Sequence, residues 1–194
     1  MSDKTFAQFT DKVWCFGDSA GIDFSSGGTA PITTPYRSQG GSTSICDSAG
    51  QLLFYVRSIS DLNLFWYNGL VINKNYQVML NGDSILGSGF YHEHIIIPYP
   101  GFNNLYYTLN NSLTSSLNLK YSVIDIDQNG GIGAVIQKNV SLSSVDFTDA
   151  MSVSRHGNGR DWWIVLHDWD PSIGSSNFYK FLVKCDGNDC THSP

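Results

Sequence analysis

Three short runs carry residue types able to do chemistry. His92-Glu93-His94 sets two imidazoles two residues apart; on a strand both would point to one face, close enough to share a metal ion. A third ligand would have to arrive from His156, or from His167 with Asp168. A polar strand edge or a hydrogen-bonded pair needs no such coincidence and is the preferred reading. Asp125-Ile126-Asp127-Gln128-Asn129-Gly130 matches the opening of an Asp-x-Asp-x-Asn-Gly calcium loop, with Asp125, Asp127 and Asn129 as ligands. The twelfth position of such a loop should be acidic and is Ile136. A hairpin turn accounts for the same residues without an ion, because Asn-Gly tolerates positive φ. No cofactor is expected, and calcium is the less favoured alternative.

The third run is His167-Asp168-Trp169-Asp170, in the same neighbourhood as Arg160-Asp161-Trp162-Trp163. Paired carboxylates flanked by Trp could serve a glycosidase, one as acid and one as base or nucleophile. Such an enzyme requires Asp161, Asp168 and Asp170 to converge in one pocket. Indole faces also stack on sugar rings, so the same residues could hold a carbohydrate without cutting it. Packing of Trp162 or Trp163 in a core, with the Asp residues capping turns, is the plainest alternative. The ligand-binding candidates are Trp162, Trp169, Asp168, Asp170, His167, Tyr91 and Phe102, with Phe90 and Tyr99 as further aromatic contacts. No Gly-x-Ser-x-Gly elbow and no Gly-rich loop followed by Lys is present, which leaves no foothold for an α/β-hydrolase triad or a phosphate cradle.

The elements that must position these residues are strands. Of the 194 residues, 41% are hydrophobic and only 14% charged, well below the usual quarter or so. Polar surface must then come from Ser, Thr, Asn and Gly, which suits many turns, and the 13% aromatics favour strands. The net charge of -6 leaves no Lys/Arg stripe to replace phosphate counterions, so no nucleic-acid partner is expected. No run of about eighteen apolar residues occurs, so no membrane-spanning helix is expected. The opening MSDKTFAQFT has no apolar stretch of a signal peptide, while the sparse charge and abundant Asn, Ser and Thr point to an exported protein. Among the four cysteines, Cys185 and Cys190 bracket a turn-forming spacer short enough for a disulfide. Cys15 and Cys46 could pair only if adjacent strands bring them together.

Residues 1–12 read as a flexible leader, 13–184 as one β domain and 185–194 as a C-terminal tail. Structure is expected to start at 13–17, with strands at 21–25, 42–46, 51–58 and 63–67, another short element beginning at 70–72, and strands at 95–97, 105–109, 120–125, 134–140, 161–167 and 178–184. Residues 25–41, rich in Ser, Gly, Thr and Pro, read as a loop. Three segments look alike: Asp47 to Tyr55, Pro98 to Tyr107, and His156 to Val165, each a tight turn followed by an aromatic strand. Self-similarity at roughly fifty residues is how propeller blades read in sequence. The expected fold is all-β and β-propeller-like, with about three to four blades of antiparallel strands.

Several motifs in one order carry a resemblance: Trp14-Cys15-Phe16-Gly17, Ala20 to Ser26, Asp47 to Tyr55, Asn73 to Gly82, Ile95 to Gly101, Asn104 to Tyr107, Lys120 to Asp125, Asn129 to Gly133, Arg155 to Trp163 and Asn177 to Tyr179. This series, over residues 13–183, resembles the propeller region at the start of large secreted proteins of Bacteroidota, a group associated with gliding motility and type IX secretion. The resemblance implies an extracellular or cell-surface module, used beside adhesive or carbohydrate-binding domains, and implies no catalytic residues. His92-Glu93-His94 departs from it, since those proteins usually carry small polar residues there. The function expected is therefore a non-catalytic propeller module that binds a glycan or a surface protein. One alternative is a structural subunit of a surface assembly or filament, with copies pairing through open sheet edges. The other is a carbohydrate-active enzyme.

Overall fold

The computed structural model describes residues 10–37, 41–58, 68–87, 92–111, 118–148, 150–169, 177–186 and 189–193. Among them the chain is all-β apart from one helical turn, and each of its four antiparallel sheets is a meander of consecutive strands. The first sheet holds β1 (Val13–Phe16), β2 (Asp18–Asp23) and β3 (Ala30–Arg37); the second holds β4 (Ser42–Cys46), β5 (Leu52–Ser58), β6 (Asn68–Asn73) and β7 (Ile85–Leu86). The third holds β8 (His94–Pro98), β9 (Leu105–Asn110), β10 (Lys120–Asp125) and β11 (Ala134–Ser141); the fourth holds β12 (Ser152–Arg155), β13 (Trp162–His167), β14 (Phe178–Asp186) and β15 (Asp189–Ser193). No barrel closes among the described residues.

The sheets are stacked face on face, and three apolar clusters form the joints. Val13 and Cys15 of the first sheet pack on Cys46, Tyr55 and Ile72 of the second. Phe54, Val56, Val71 and Ile85, on the opposite face of the second sheet, pack on Tyr106, Ile124 and Val135 of the third. Ile97, Tyr107, Leu109 and Val123 then meet Ile164, Leu166, Phe181 and Val183 of the fourth, with Phe147 and Met151 filling in. Alternation divides neighbours between joints: Phe54 from Tyr55, Val71 from Ile72, Tyr106 from Tyr107. A sheet covered on both faces needs apolar residues at successive positions, which is why the middle strands read as continuous apolar runs and not as alternating ones.

The edges of the second and third sheets are also stitched. Val135 N–H donates to Leu80 C=O at 2.9 Å, Asn81 Nδ2 to Val135 C=O at 2.8 Å and Asn139 Nδ2 to Ser84 C=O at 2.8 Å. Lys138 Nζ reaches the Asp83 carbonyl at 2.9 Å.

The structure differs from the sequence reading at several elements: β2 runs Asp18–Asp23 and not 21–25, and the short β7 at Ile85–Leu86 was not expected. Residues 30–37, read as loop, form β3; it lies at the edge of its sheet, the position where a strand tolerates prolines such as Pro31 and Pro35. Residues 189–193, read as tail, form the outer strand β15, and β14 runs on to Asp186 to pair with it. Residues 152–155 form β12, whose Ser-Val-Ser-Arg sequence gives little apolar signal. The expected strand at 63–67 lies outside the described residues. Of the leader, Thr10 and Lys12 use their carbonyls to accept from Cys46 N–H at 2.9 Å and Phe24 N–H at 2.7 Å.

Candidate functional site: a groove between two turns

The turn from β8 to β9 and the turn from β12 to β13 stand side by side on one rim. Together they line a groove of about 310 Å³. The first turn closes through Tyr99 N–H to Leu105 C=O at 2.9 Å and Phe102 N–H to Tyr99 C=O at 3.2 Å. Its Gly101 takes φ +83°, which a side chain would resist. Tyr99 stacks on the buried Tyr107 at 4.4 Å between centroids, and Phe102 meets Tyr99 edge-on at 5.4 Å. Phe102 is thus an aromatic fixed by its neighbours at the groove wall.

The second turn closes through His156 N–H to Asp161 C=O at 2.8 Å and Gly159 N–H to His156 C=O at 2.9 Å. Asn158 Oδ1 accepts from both Arg160 N–H and Asp161 N–H at 3.0 Å. Asp161, 4% exposed, is gripped by Arg160 Nε at 2.7 Å and by Asn158 Nδ2 at 2.7 Å. The Arg160 bond is the chief reason its carboxyl lies below the ordinary carboxylate value. Arg155 sits over the Trp162 ring at 5.0 Å from the centroid. The groove therefore combines Tyr99, Phe102 and Trp162 with Arg155 and Arg160.

Three of the sequence candidates, Tyr99, Phe102 and Trp162, are brought together here. His167, Asp168 and Trp169 do not line the groove. Asp168 sits at the far end of β13 from Asp161, seven residues along an extended strand, or about 20 Å at ~3.3 Å per residue. Paired glycosidase carboxylates stand roughly 5–10 Å apart, so Asp161 and Asp168 do not make such a pair. Asp168 is occupied by Asn177, whose backbone N–H donates to Oδ1 at 3.1 Å and whose Nδ2 donates to Oδ2 at 2.8 Å. His167 lies edge-on to Phe178 at 4.6 Å, and Trp169 is 53% exposed beside them in sequence. Phe90, Tyr91 and Asp170 lie outside the described residues.

His92 is exposed and precedes β8, whereas Glu93 and His94 are buried, so the two imidazoles do not share one environment. Asp125 accepts from Asn104 Nδ2, Asp127 N–H and Gln128 Nε2 at 3.0–3.1 Å. Asn129 and Gly130 take φ +51° and +69° in a helical turn, α1 (Gln128–Gly131), between β10 and β11. Asp125 thus caps a turn with its carboxylate. Among the described residues no group of three or more His, Cys, Asp or Glu is arranged to hold a metal ion.

Cys15 and Cys46 come from facing strands yet are both free and buried, and burial pushes the Cys15 thiol up to about 12. Cys185 is disulfide-bonded, and Cys190 is its register partner across β14 and β15. The groove residues that sequence reading passed over are Arg155 and Arg160. Their signal was present: two Arg flanking a Gly-Asn-Gly turn, immediately before an aromatic strand.

No protein-family model matches this chain, and neither curated proteins nor solved structures yield a match. No helix among the described residues is long and apolar enough to cross a membrane.

Proposed function

We propose that this chain is a non-catalytic binding module, an arc of β-propeller blades of the secreted Bacteroidota kind, with the rim groove as its glycan site. Four meanders stacked face on face are what blades look like when packed around an axis. One observation carries the binding reading: three aromatics, Tyr99, Phe102 and Trp162, converge on a groove whose walls are closed turns. Rigid turns bearing aromatic faces suit sugar rings, and a rim of such turns over a fixed scaffold is where binding residues concentrate. Neither Asp161 nor Asp168 is available as an opposed acid and base, which favours binding over hydrolysis. An extracellular or cell-surface setting follows from the Bacteroidota resemblance.

A glycan array probed with the whole chain tests this. Binding is expected to at least one saccharide class and to fall about tenfold or more in Phe102→Ala, with the unfolding temperature little changed because Phe102 is only half-buried. An array with no signal would remove the glycan reading and leave a protein partner.

The structural-subunit alternative is favoured by the first sheet. Trp14 and Phe16, on the outer face of the first sheet, are 49% and 41% exposed.

A further inference from the structure

We infer that the groove selects an acidic saccharide, its charge carried as carboxylate or sulfate, and that Arg155 is the residue recognising that charge; this rests on the groove being the glycan site proposed above. The chain as a whole is acidic, with 17 Asp and Glu against 11 Lys and Arg. The groove runs against that balance, since its walls bring two guanidinium groups and no carboxylate. Arg160 is spoken for, because it is ion-paired to the buried Asp161 at 2.7 Å. Arg155 is different. It is exposed, its guanidinium lies over Trp162, and it makes no ion pair among the described residues.

That arrangement fits a charged sugar in two ways. A guanidinium offers paired donors that match a carboxylate or sulfate edge, and these charge-assisted bonds are about twice as strong as neutral ones. The aromatics nearby supply faces for the ring that carries the charge. Asn103 adds a polar side chain to the same wall. An extended acidic peptide fits less well. Strand addition needs unpaired backbone groups, and Tyr99, Phe102, His156 and Gly159 already spend their N–H groups inside the two turns.

Calorimetry on the whole chain, at low and at physiological salt, separates the outcomes. The probes are a hexagalacturonate, a sulfated dextran oligomer, the fully methyl-esterified hexagalacturonate, which keeps the rings and loses the charge, and an oligoglutamate peptide. At least one acidic saccharide is expected to bind about tenfold or more tightly than the ester, and to weaken as salt rises. Arg155→Gln should abolish that preference, whereas Arg155→Lys should retain part of it. Both variants should keep the wild-type unfolding temperature, since Arg155 is exposed.

Equal binding of acid and ester, still lost in Phe102→Ala, would overturn charge selection and leave the glycan site standing. Binding of the peptide in place of both acidic saccharides would overturn this inference. A preference for acid that survives Arg155→Gln would overturn the role given to Arg155. Failure of all these probes together with a silent glycan array would remove the site itself.

Discussion

Among single residues, His94 bears the largest physical consequence. It is 3% exposed, with Nδ1 3.0 Å from Asn110 Oδ1 and Nε2 without a partner. Its ring lies close against the backbone beside it; a Cβ added to Gly69 of β6 or to Gly87, just past β7, would lie 3.2 or 2.5 Å from His94 Cε1. Burial pushes this imidazole down to about 4, against about 6.5 in an unfolded chain. Between those values the unfolded state takes a proton that the folded state refuses, so the unfolded state binds more protons. Stability from this group is therefore full above about pH 6.5 and falls as pH drops to about 4, by about 3 kcal/mol at most. Glu93, Thr108 and Asn110 are the buried polar neighbours in that region. Urea unfolding at pH 7, 5.5 and 4.5 should show the fall in wild type and a flatter profile in His94→Gln. Asp161 acts in a separate window: its lowered carboxyl contributes stability that is lost only as pH falls below the ordinary 3.8. The His-Glu-His run stood out in sequence, but its spacing could not tell that β8 begins at His94, leaving His92 in solvent and His94 in the core.

At the scale of elements, one turn recurs with different letters. Asp47 Oδ1 accepts from Ala49 and Gln51 N–H at 2.8 and 2.9 Å, while Asp47 N–H pairs with Gln51 C=O. Asn73 repeats this at the end of β6, with Oδ1 accepting from Asn75 and Gln77 N–H at 2.9 and 3.1 Å. The fourth residue of each is left-handed: Gly50 at φ +85°, Tyr76 at φ +59°. Asp47→Ala and Asn73→Ala each remove two acceptor bonds, so each should cost about 1–2 kcal/mol in chemical denaturation. Asp47, Gly101 and the Gly-Asn-Gly turn at 157–159 were legible as turn chemistry, and from them the all-β class and its repeat followed. Tyr76 hid the Asn73 turn, because an aromatic at positive φ carries no sequence signal. β3 was hidden for a related reason: its prolines read as loop until its edge position explains them. Which turns share a rim was not legible at all, since Phe102 and Trp162 are sixty residues apart and meet only because the third and fourth sheets stack.

At the scale of the molecule, the stack has an inside and two ends, and the ends differ from the inside in what a substitution should cost. Phe54 is 0% exposed and touches Tyr106 across the joint of the second and third sheets at 5.5 Å. Phe54→Ala should cost about 3–5 kcal/mol, as deletion of a fully buried ring does. Trp14 is the larger side chain, yet it is 49% exposed and meets Phe24, just past the end of β2, edge-on at 5.1 Å between centroids. Trp14→Ser should cost about 1 kcal/mol or less. The same outward face carries Phe16 at 41% exposure, so it is an apolar surface held in water by the architecture. It should bind the dye 1-anilinonaphthalene-8-sulfonate in the native state, with the fluorescence falling in Trp14→Ser/Phe16→Ser while the unfolding temperature holds. Native dye fluorescence unaffected by that double substitution would mean the dye sits elsewhere; a large loss of stability would mean the first sheet is braced from its outer side as well as its inner one. The pair of measurements, cost on denaturation and loss of dye, therefore distinguishes an end face that merely tolerates solvent from one already serving the stack as a fourth joint.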